Sequence, residues 1–399
     1  MLGALAPGLT EITHIAPGAD VASTLACIAA LGGRVEFPAE GVARILGVGS
    51  AGLRMPRGPL DAGNSGTTMR LLAGLVSGFP LRVTLGGDAS LCRRPMRRVI
   101  EPLTAMGARI TSDGGRPPLE VEGGALAPIR WQSPVASAQV KSAILFAGLS
   151  ASGTTTVVEP MATRDHTERA LPAFGLSCRV EGLAVSIAGG QPLVAPSGVL
   201  AVPGDPSSAA VWAAAAAALP GSSVVVEGVG LNPHRLGFLD ALERLGAIVA
   251  RRQEEVIAGE PVGRISVGHG AHRVTTITAD EVPSLIDELP VLAARAALGG
   301  GLEVTGASEL RVKESDRITA LVTGLRALGV EARELTDGFL IDGTRQPSGG
   351  LADAAGDHRL VMAFAIVALG ASGPSAITGA DVVGVSYPFF ERDLAGLIA

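Results

Sequence analysis

The chain has 399 residues, 47% of them hydrophobic, a formal net charge of -6 and a pI near 5.6. This length exceeds what one core usually supports, so the sequence predicts two domains. The acidic balance argues against nucleic-acid or anionic-membrane partners, which are held by an excess of Lys and Arg. The apolar runs 209–219 and 360–369 are shorter than the roughly 20 residues that a bilayer requires, and they predict buried helices.

The cysteines, the first residues and the lysines give expectations about disulfides, location and candidate site residues. Three cysteines without CxxC spacing predict neither disulfides nor a zinc site. The apolar segment 1–9 lacks the basic region and long apolar run of a secretory signal, so we expect a cytoplasmic protein. Only Lys141 and Lys313 break an otherwise arginine-only set of basic residues. Lys313 is a candidate for a site that needs a compact ammonium, whereas chance retention is an equal interpretation for Lys141.

A helix–glycine–strand pattern recurs along the chain and predicts repeated βα-rich units. Glycine ends a helix without a side-chain penalty at positive φ, and the residues that follow each glycine favour a strand. With the C-terminal helix at 388–397 as part of a further unit, we expect six units in two globular domains. The proline-rich segment 191–204 predicts the boundary, giving domains 1–200 and 201–399. The five glycines are Gly32, Gly107, Gly175, Gly246 and Gly329.

Two segments near the start of the chain predict anion sites. In LDAGNSGTTMRLLAGL, residues 60–75, a glycine-rich loop enters a helix, where unpaired N–H groups and the dipole favour an anion near Gly66. A capped helix after a turn is the alternative. Basic residues then precede the helix that ends at Met106, a placement that opposes the dipole unless an anion binds among them. These residues are Arg93, Arg94, Arg97 and Arg98, of which the last two also fit a solvated face.

The next two segments combine small polar residues with helix starts. In 137–149, Ser137 and Gln139 could donate to a phosphate or hydroxyl, although Ser137 could equally cap the helix. In TRDHTERAL, residues 163–171, Asp165 and Glu168 have the spacing of a capping box. This leaves Arg164 as a candidate for an anion site.

The second half of the chain holds the acid–base candidates. Asp205 precedes a helix predicted to run to residue 219. Asp287 and Glu288 interrupt an apolar helical run at 280–297, where carboxylates are costly unless paired or functional, so one of them is a candidate base. The run ELRVKESDR, starting at residue 309, fits either a salt-bridged helix start or a site. Asp357, His358 and Arg359 precede the helix 360–369 and suggest the edge of a site. Metal binding by His269 and His272 is a weak hypothesis, because no third ligand is near.

Eight motifs in this order resemble those of the enolpyruvyl transferases of the shikimate pathway, the 3-phosphoshikimate 1-carboxyvinyltransferase (EPSP synthase) family. The LRVKESDR version is similar to the class II branch, and the reactive-cysteine loop of the sister family acting on UDP-N-acetylglucosamine is not seen. The motifs are GNSGTTMR, CRRPM, SAQVKSA, TRDHTE, GDPSSAA, PSLIDELP, LRVKESDR and DHRL.

The resemblance implies an α/β fold of two domains, each of three βαβαββ units, with a cleft between the domains. It also implies transfer of the enolpyruvyl group of phosphoenolpyruvate to the 5-hydroxyl of 3-phosphoshikimate, with release of phosphate. Addition and elimination through a tetrahedral intermediate require a base, a proton donor and cations for two anionic substrates. No cofactor or metal is implied, the partners are these two small molecules, and a monomer is expected.

The resemblance assigns roles to individual residues. Asp287 matches the general base, and Glu314 matches the group that gives and takes the proton at the methylene carbon. Thr163 stands where serine is usual, and Gly66 suggests a site open to glyphosate. The implied phosphoshikimate residues are Ser137, Gln139, Arg164, Asp287 and Lys313, and the implied phosphoenolpyruvate residues are Gly66, Arg94, Gln139, Arg317 and Arg359.

The chain departs from the family pattern at its start. Members begin with a segment resembling PGSKSxSxRALLLAALA, whose Lys, Ser and Arg contact both substrates, and MLGALAPGLT corresponds to its end. We therefore expect a chain that lacks this Lys-Ser-x-x-x-Arg segment to be a poor enzyme with a loosened second domain. Three explanations stay open: a start assigned too far downstream, a partner that supplies the segment, or an inactive paralogue that binds phosphoshikimate without turnover.

Overall fold

The computed structural model of the protein describes residues 1–398. The described chain divides into two compact units, one formed by residues 1–202 with 257–260 and the other by 203–256 with 261–398. The division falls within the proline-rich segment 191–204. Each unit has a hydrophobic core of its own.

The first unit contains seven α-helices and twelve strands within the described residues. The helices are α1 (Leu2–Leu5), α2 (Ala19–Ala30), α3 (Gly66–Ser77), α4 (Ala89–Arg93), α5 (Arg97–Ala105), α6 (Ala138–Gly148) and α7 (His166–Ala170). The strands are β1 (Gly8–Thr13), β2 (Arg34–Ala39), β3 (Val42–Gly47), β4 (Leu60–Asp61), β5 (Arg82–Gly86), β6 (Arg109–Asp113), β7 (Arg116–Glu122), β8 (Arg130–Gln132), β9 (Thr154–Val158), β10 (Cys178–Glu181), β11 (Ala184–Ala188) and β12 (Leu200–Ala201).

The second unit contains six α-helices and nine strands up to residue 398. The helices are α8 (Pro206–Ala218), α9 (Gly237–Arg244), α10 (Leu289–Ala297), α11 (Arg317–Ala327), α12 (His358–Leu369) and α13 (Phe390–Ile398). The strands are β13 (Ser223–Gly230), β14 (Ile248–Ile257), β15 (Glu260–Gly268), β16 (Val274–Ile277), β17 (Gly301–Val304), β18 (Glu331–Leu335), β19 (Gly338–Asp342), β20 (Gly350–Asp353) and β21 (Ser375–Thr378). None of the helices in residues 1–398 combines the length and the apolar character that crossing a bilayer requires.

The sheets repeat one strand order, as the recurring sequence pattern predicts. Four sheets have four strands each, in which a parallel pair is followed by an antiparallel hairpin. Three of these sheets are built from consecutive segments that alternate strand, helix, strand, helix and hairpin. The four orders are β12-β1-β3-β2, β4-β5-β7-β6, β8-β9-β11-β10 and β16-β17-β19-β18. The remaining described sheets are β13-β15-β14 and the parallel pair β20-β21.

The five repeated glycines do end helices, so this prediction is confirmed. Each has positive φ, between 72° at Gly175 and 112° at Gly107. Each is followed within a few residues by a strand: β2, β6, β10, β14 and β18. An L-residue with a side chain is strained in this region of φ, which explains why glycine recurs there.

Two local predictions are wrong. The apolar run 280–297 is not one helix, because residues Val282–Ser284 form a short 3-10 turn and α10 begins at Leu289. Pro290 is accommodated in the first turn of α10, where its missing N–H is not needed. Asp287 and Glu288 therefore lie just before a helix and not within one.

The capping box predicted at α7 does not form. The carboxylate of Asp165 makes no capping bond and accepts instead from Arg169 Nε at 2.8 Å. Glu168 turns into the protein and pairs with Lys141. By contrast, the predicted helix after residue 205 is confirmed, since Asp205 caps α8 by accepting from the N–H of Ser208.

Candidate active site

A first cluster of polar side chains lies at the start of α3, in the first unit. It consists of Asn64, Gly66, Arg70, Arg94 and Gln139. Arg94 donates to the Asn64 side chain, and Arg70 Nη1 donates to Gln139 Oε1 at 2.6 Å and to the Gly66 carbonyl at 3.3 Å. The structure thus brings together three predicted residues, Gly66, Arg94 and Gln139, in a setting with two guanidinium groups.

Helix packing explains how distant segments of sequence reach this cluster. Gly74 in α3 faces Ala143 in α6, and a Cβ built at Gly74 would lie 2.1 Å from the Ala143 carbonyl oxygen. Only glycine permits this close approach, which sets α3 and the start of α6 side by side. Ser137 caps α6, accepting from the Val140 N–H at 3.5 Å, and Gln139 follows in its first turn. Both predicted residues are therefore fixed by the start of one helix.

Of the four arginines at residues 93–98, one, Arg94, is a member of the first cluster. Arg94 is 7% exposed, whereas Arg93 and Arg97 are exposed. A buried guanidinium must be compensated by hydrogen bonds or an anion, while an exposed one is hydrated. The solvated-face interpretation of Arg97 agrees with its exposure.

Lys141 lies in a buried network that the sequence did not predict. Its Nζ is 2.8 Å from a carboxylate oxygen of Glu159 and 2.8 Å from one of Glu168, and all three side chains are almost fully buried. Burial disfavours charge on Lys141, but Glu168 and Glu159 outweigh it and raise the lysine pKa. Thr163 donates to Glu159, so the network also holds the loop that carries Arg164. A compact ammonium between two carboxylates gives Lys141 a structural role.

We expect replacement of Lys141 by Met to lower the free energy of unfolding by about 3–5 kcal/mol, because it leaves two buried carboxylates without their cation. Urea denaturation would measure the change. Replacement of the exposed Arg179, which pairs with Glu181 on the surface, is the control and should cost less than about 1 kcal/mol. A Lys141→Met protein as stable as the Arg179 variant would contradict this role.

A second cluster lies in the second unit and contains the predicted acid–base pair. It consists of Asp287, Lys313, Glu314, Arg317 and Arg359. Lys313 Nζ is 3.4 Å, Arg317 Nη1 3.7 Å and Arg359 Nη2 4.0 Å from a carboxylate oxygen of Asp287. Arg317 also donates to the carboxylate of Glu314. All five residues that the resemblance assigns to this half of the chain therefore lie in one group.

Arg317 holds the second cluster together. Its side chain is 1% exposed, and its guanidinium donates twice to Asp357, with Nε to Oδ2 at 2.7 Å and Nη2 to Oδ1 at 3.2 Å. Burial disfavours its charge, but Asp357 and then Glu314 outweigh burial and raise the pKa of Arg317. Lys313 and Arg359 are the more accessible cations, with 27% and 20% of their side chains exposed.

The second cluster forms where the first residues of several helices meet. Glu288, Asp316 and Asp357 occupy the N-cap positions of α10, α11 and α12. The positive ends of the helix dipoles favour anions at such a place. Of the charged run that begins at residue 309, Lys313, Glu314 and Arg317 join the cluster. Arg311 pairs with Asp316 outside it, so both interpretations of the run apply to different members.

His358, in the first turn of α12, makes the stability of the protein depend on pH. Burial and the neighbouring Arg359 lower its pKa from 6.5 to about 4. The native imidazole thus stays neutral at pH 5, whereas the unfolded one binds a proton. We expect this group to reduce the free energy of unfolding by about 2 kcal/mol between pH 7 and pH 5.

Urea denaturation at both pH values would measure this effect of His358. Between pH 7 and pH 5, the free energy of unfolding of a His358→Gln variant should fall by about 2 kcal/mol less than that of the wild type. Replacing the exposed His14, whose φ of 57° asparagine also tolerates, by Asn is the control. Equal pH dependence in all three proteins would contradict the prediction.

Sequence reasoning missed two arginines. Arg70 is 5% exposed and Arg235 is 8% exposed, and each contacts a predicted site residue or its neighbour. A signal for Arg70 was present, because an arginine within the apolar helix MRLLAGL is as anomalous as a buried carboxylate. The partners of Arg235 lie 28 to 53 residues away in sequence, at Ser207, Asp205 and Glu288, and no local pattern reveals such contacts. Over residues 1–398 no group of three His, Cys, Asp or Glu side chains is arranged to hold a metal ion.

Comparison with known proteins identifies the family of the chain. The family model described as EPSP synthase (3-phosphoshikimate 1-carboxyvinyltransferase) matches residues 1–394. The 3-phosphoshikimate 1-carboxyvinyltransferases of Desulforamulus reducens and Halorhodospira halophila are 45% and 49% identical, over 100% of this chain and 93% and 90% of the relatives. The solved structure of EPSP synthase from Acinetobacter baumannii has a TM-score of 0.87 at 41% identity, covering 100% of this chain and 92% of that one. The chain therefore belongs to the EPSP synthase family.

Proposed function

We propose that the protein transfers the enolpyruvyl group of phosphoenolpyruvate to the 5-hydroxyl of 3-phosphoshikimate and releases phosphate, a step of aromatic amino acid biosynthesis. One observation carries the proposal beyond family membership. Two partly exposed carboxylates, Asp287 and Glu314, lie in one cluster: both lie beside Arg317, and Asp287 also lies 3.4 Å from Lys313. A reaction that needs a base, a proton donor and positive charge finds all three in this cluster.

The chemistry follows from the two carboxylates. Asp287 accepts the proton of the 5-hydroxyl while the hydroxyl oxygen bonds to C2 of phosphoenolpyruvate. At the same time Glu314 gives a proton to the methylene carbon C3. In the tetrahedral intermediate that forms, C3 is a methyl group. Glu314 then takes a proton back from this methyl as the bond between C2 and the phosphate oxygen breaks. The enolpyruvyl ether and inorganic phosphate are the products, and the proton that Asp287 took from the 5-hydroxyl leaves with the phosphate.

The remaining residues hold the two anionic substrates. Guanidinium and ammonium groups make charge-assisted hydrogen bonds with phosphate and carboxylate, and they stabilise negative charge that develops in the transition state. We propose that Ser137, Gln139, Arg164, Asp287 and Lys313 bind 3-phosphoshikimate, and that Gly66, Arg94, Gln139, Arg317 and Arg359 bind phosphoenolpyruvate. Arg70, hydrogen-bonded to Gln139, supports the second set.

The Gly66→Ala variant tests the first cluster. A Cβ there would lie 2.5 Å from Arg70 Nη1 and 3.4 Å from Arg94 Nη1, so at least one guanidinium must shift. We expect the KM for phosphoenolpyruvate to rise roughly tenfold, the loss of about one good charged hydrogen bond, and glyphosate to inhibit less well. Gly86→Ala is the control, because a Cβ there meets nothing within 4 Å. Equal steady-state constants for the two variants would contradict the assignment of Gly66.

Several finer features are part of the proposal. The LRVKESDR motif supports a class II-like enzyme, and the repeated sheet order supports six βαβαββ units, three in each domain. We propose a monomer in the cytoplasm that uses no cofactor. Light scattering on the eluted peak of a sizing column would test the monomer, and a dimer mass would contradict it.

The purified protein, incubated with phosphoenolpyruvate and 3-phosphoshikimate, tests the function. We expect release of phosphate that depends on both substrates, together with a product heavier than phosphoshikimate by one enolpyruvyl group in mass spectra. Binding of phosphoshikimate without release of phosphate would instead support the alternative, a protein of this fold that binds its ligand without turnover. A Glu314→Gln variant serves as the blank.

A further inference from the structure

A buried carboxylate, Glu288, lies next to the proposed base Asp287. Its side chain is 1% exposed. Glu288 Oε1 accepts from the Ser207 hydroxyl and lies 3.7 Å from Arg235 Nη2 and 4.0 Å from Arg359 Nη1. Its other oxygen, Oε2, is buried and has no hydrogen-bond partner within residues 1–398. A buried carboxylate this poorly satisfied strongly attracts whichever cation can reach it.

Arg235 is the nearer of the two cations. It ends the short 3-10 helix Pro233–Arg235, and its side chain is 10% exposed. Arg235 Nη2 donates to the Ser207 hydroxyl at 2.8 Å and to Asp205 Oδ1 at 3.2 Å. The Ser207 hydroxyl connects Arg235 to Glu288, because it accepts from Arg235 and donates its own proton to Glu288. Arg235 and Ser207 together compensate one side of the buried carboxylate.

Arg359 reaches the same carboxylate from the side of the second cluster. Its Nη1 donates to the backbone carbonyl of Asp287 at 2.9 Å while lying 4.0 Å from Glu288. One end of its guanidinium is thus fixed by the backbone, and 20% of the side chain is exposed. The distance to Glu288 is short enough that a modest movement would convert the contact into a direct ion pair.

We propose that Arg235 is a positioning residue for phosphoenolpyruvate binding: it neutralises Glu288 and so keeps the guanidinium of Arg359 available to the substrate. The inference rests on the proposed function, in which Arg359 binds phosphoenolpyruvate. Arg235 is shared by Asp205 and Glu288, and Arg359 lies 4.0 Å from a carboxylate oxygen of both Asp287 and Glu288. Without Arg235, Arg359 is the cation left beside Glu288, and it can serve the carboxylate or the substrate but not both.

The proposal predicts a selective defect. In an Arg235→Met variant, the KM for phosphoenolpyruvate should rise roughly tenfold, since one charged contact is lost. The KM for 3-phosphoshikimate and the kcat at saturating substrates should change far less. A general loosening of the site would weaken the binding of both substrates together. A rise in only one of the two KM values therefore distinguishes a positioning role from a merely structural one.

A double-mutant cycle with Glu288→Gln tests the mechanism. Once Glu288 is neutral, nothing draws Arg359 away, so Arg235→Met should no longer change the KM for phosphoenolpyruvate in the Glu288→Gln background. Arg251→Met, which breaks an exposed pair with Asp240 in the same unit, is the control and should leave both KM values unchanged. Arg235→Lys keeps the charge and should stay within roughly threefold of the wild type, which keeps the test valid if Arg235→Met does not fold.

Two results would overturn the proposal. One is an Arg235→Met defect of equal size with and without Glu288→Gln, and the other is an equal rise in both KM values. Calorimetric titration of the same variants with phosphoenolpyruvate, in the presence of 3-phosphoshikimate, gives the same comparison as Kd values. If the wild-type protein releases no phosphate, the proposed function fails, but these Kd values still decide the role of Arg235.

Discussion

An Asp287→Asn protein should fold normally and lose catalysis, with kcat lower by roughly 10²–10⁴-fold. The amide has nearly the shape of the carboxylate but cannot accept the proton of the attacking hydroxyl. The side chain is 12% exposed, so substrate can reach it, and Lys313 Nζ lies 3.4 Å away. Because the loss is one of proton transfer, the KM values should change much less than kcat.

Phosphate release under saturating substrates would measure the Asp287 effect. The matched control is Asp240→Asn, an exposed carboxylate of the same unit whose partner is Arg251. The control should retain full activity. An Asp287→Asn enzyme within a factor of a few of the wild type would rule out Asp287 as the base.

A large effect on stability, comparable to that of Lys141→Met, is expected for Arg317→Met. The substitution leaves Asp357, Glu314 and Asp287 around a site with no buried cation, and the side chain of Asp357 is 0% exposed. Removing one partner from a buried ion pair costs about 3–5 kcal/mol, because the remaining charge is left in a medium that solvates it poorly. Lysine should not rescue the protein, since it cannot make the two parallel bonds to Asp357.

The Arg317 prediction can be checked by urea denaturation at neutral pH. Arg326→Met is a matched control on the same helix α11, because Arg326 is exposed and makes one bond to the Ala332 carbonyl. We expect it to cost less than about 1 kcal/mol. If Arg317→Met and Arg326→Met have the same midpoint, the buried network contributes little to the fold.

Local chemistry made part of the fold predictable from the sequence. Glycines such as Gly32 and Gly329 end helices because they can adopt positive φ, and Asp205 caps α8 by accepting from the N–H three residues ahead. These features depend on a few adjacent residues, so a pattern of neighbours predicts them. The predicted start of α10 was wrong because the apolar run continues through the turn before Leu289. Hydrophobicity alone does not mark such a turn.

Long-range contacts made the rest unpredictable. Which of the arginines at 93–98 turns inward depends on Asn64, which lies 30 residues before Arg94. Lys141 has a role only because Glu159 and Glu168 fold back onto α6. The order of the motifs indicated the site residues through the family resemblance. The pairing of these residues, and the contacts of Arg70 and Arg235 with them, could be seen only in the structure.

The direct test of enolpyruvyl transfer through proton addition and removal at C3 is the reaction in D2O, with the product analysed by mass spectrometry and proton NMR. We expect deuterium to enter the vinyl CH2 of the product, because C3 becomes a methyl group before phosphate leaves. We also expect Glu314→Gln to form little product. A product made at full rate with no deuterium at C3 would contradict proton transfer at C3.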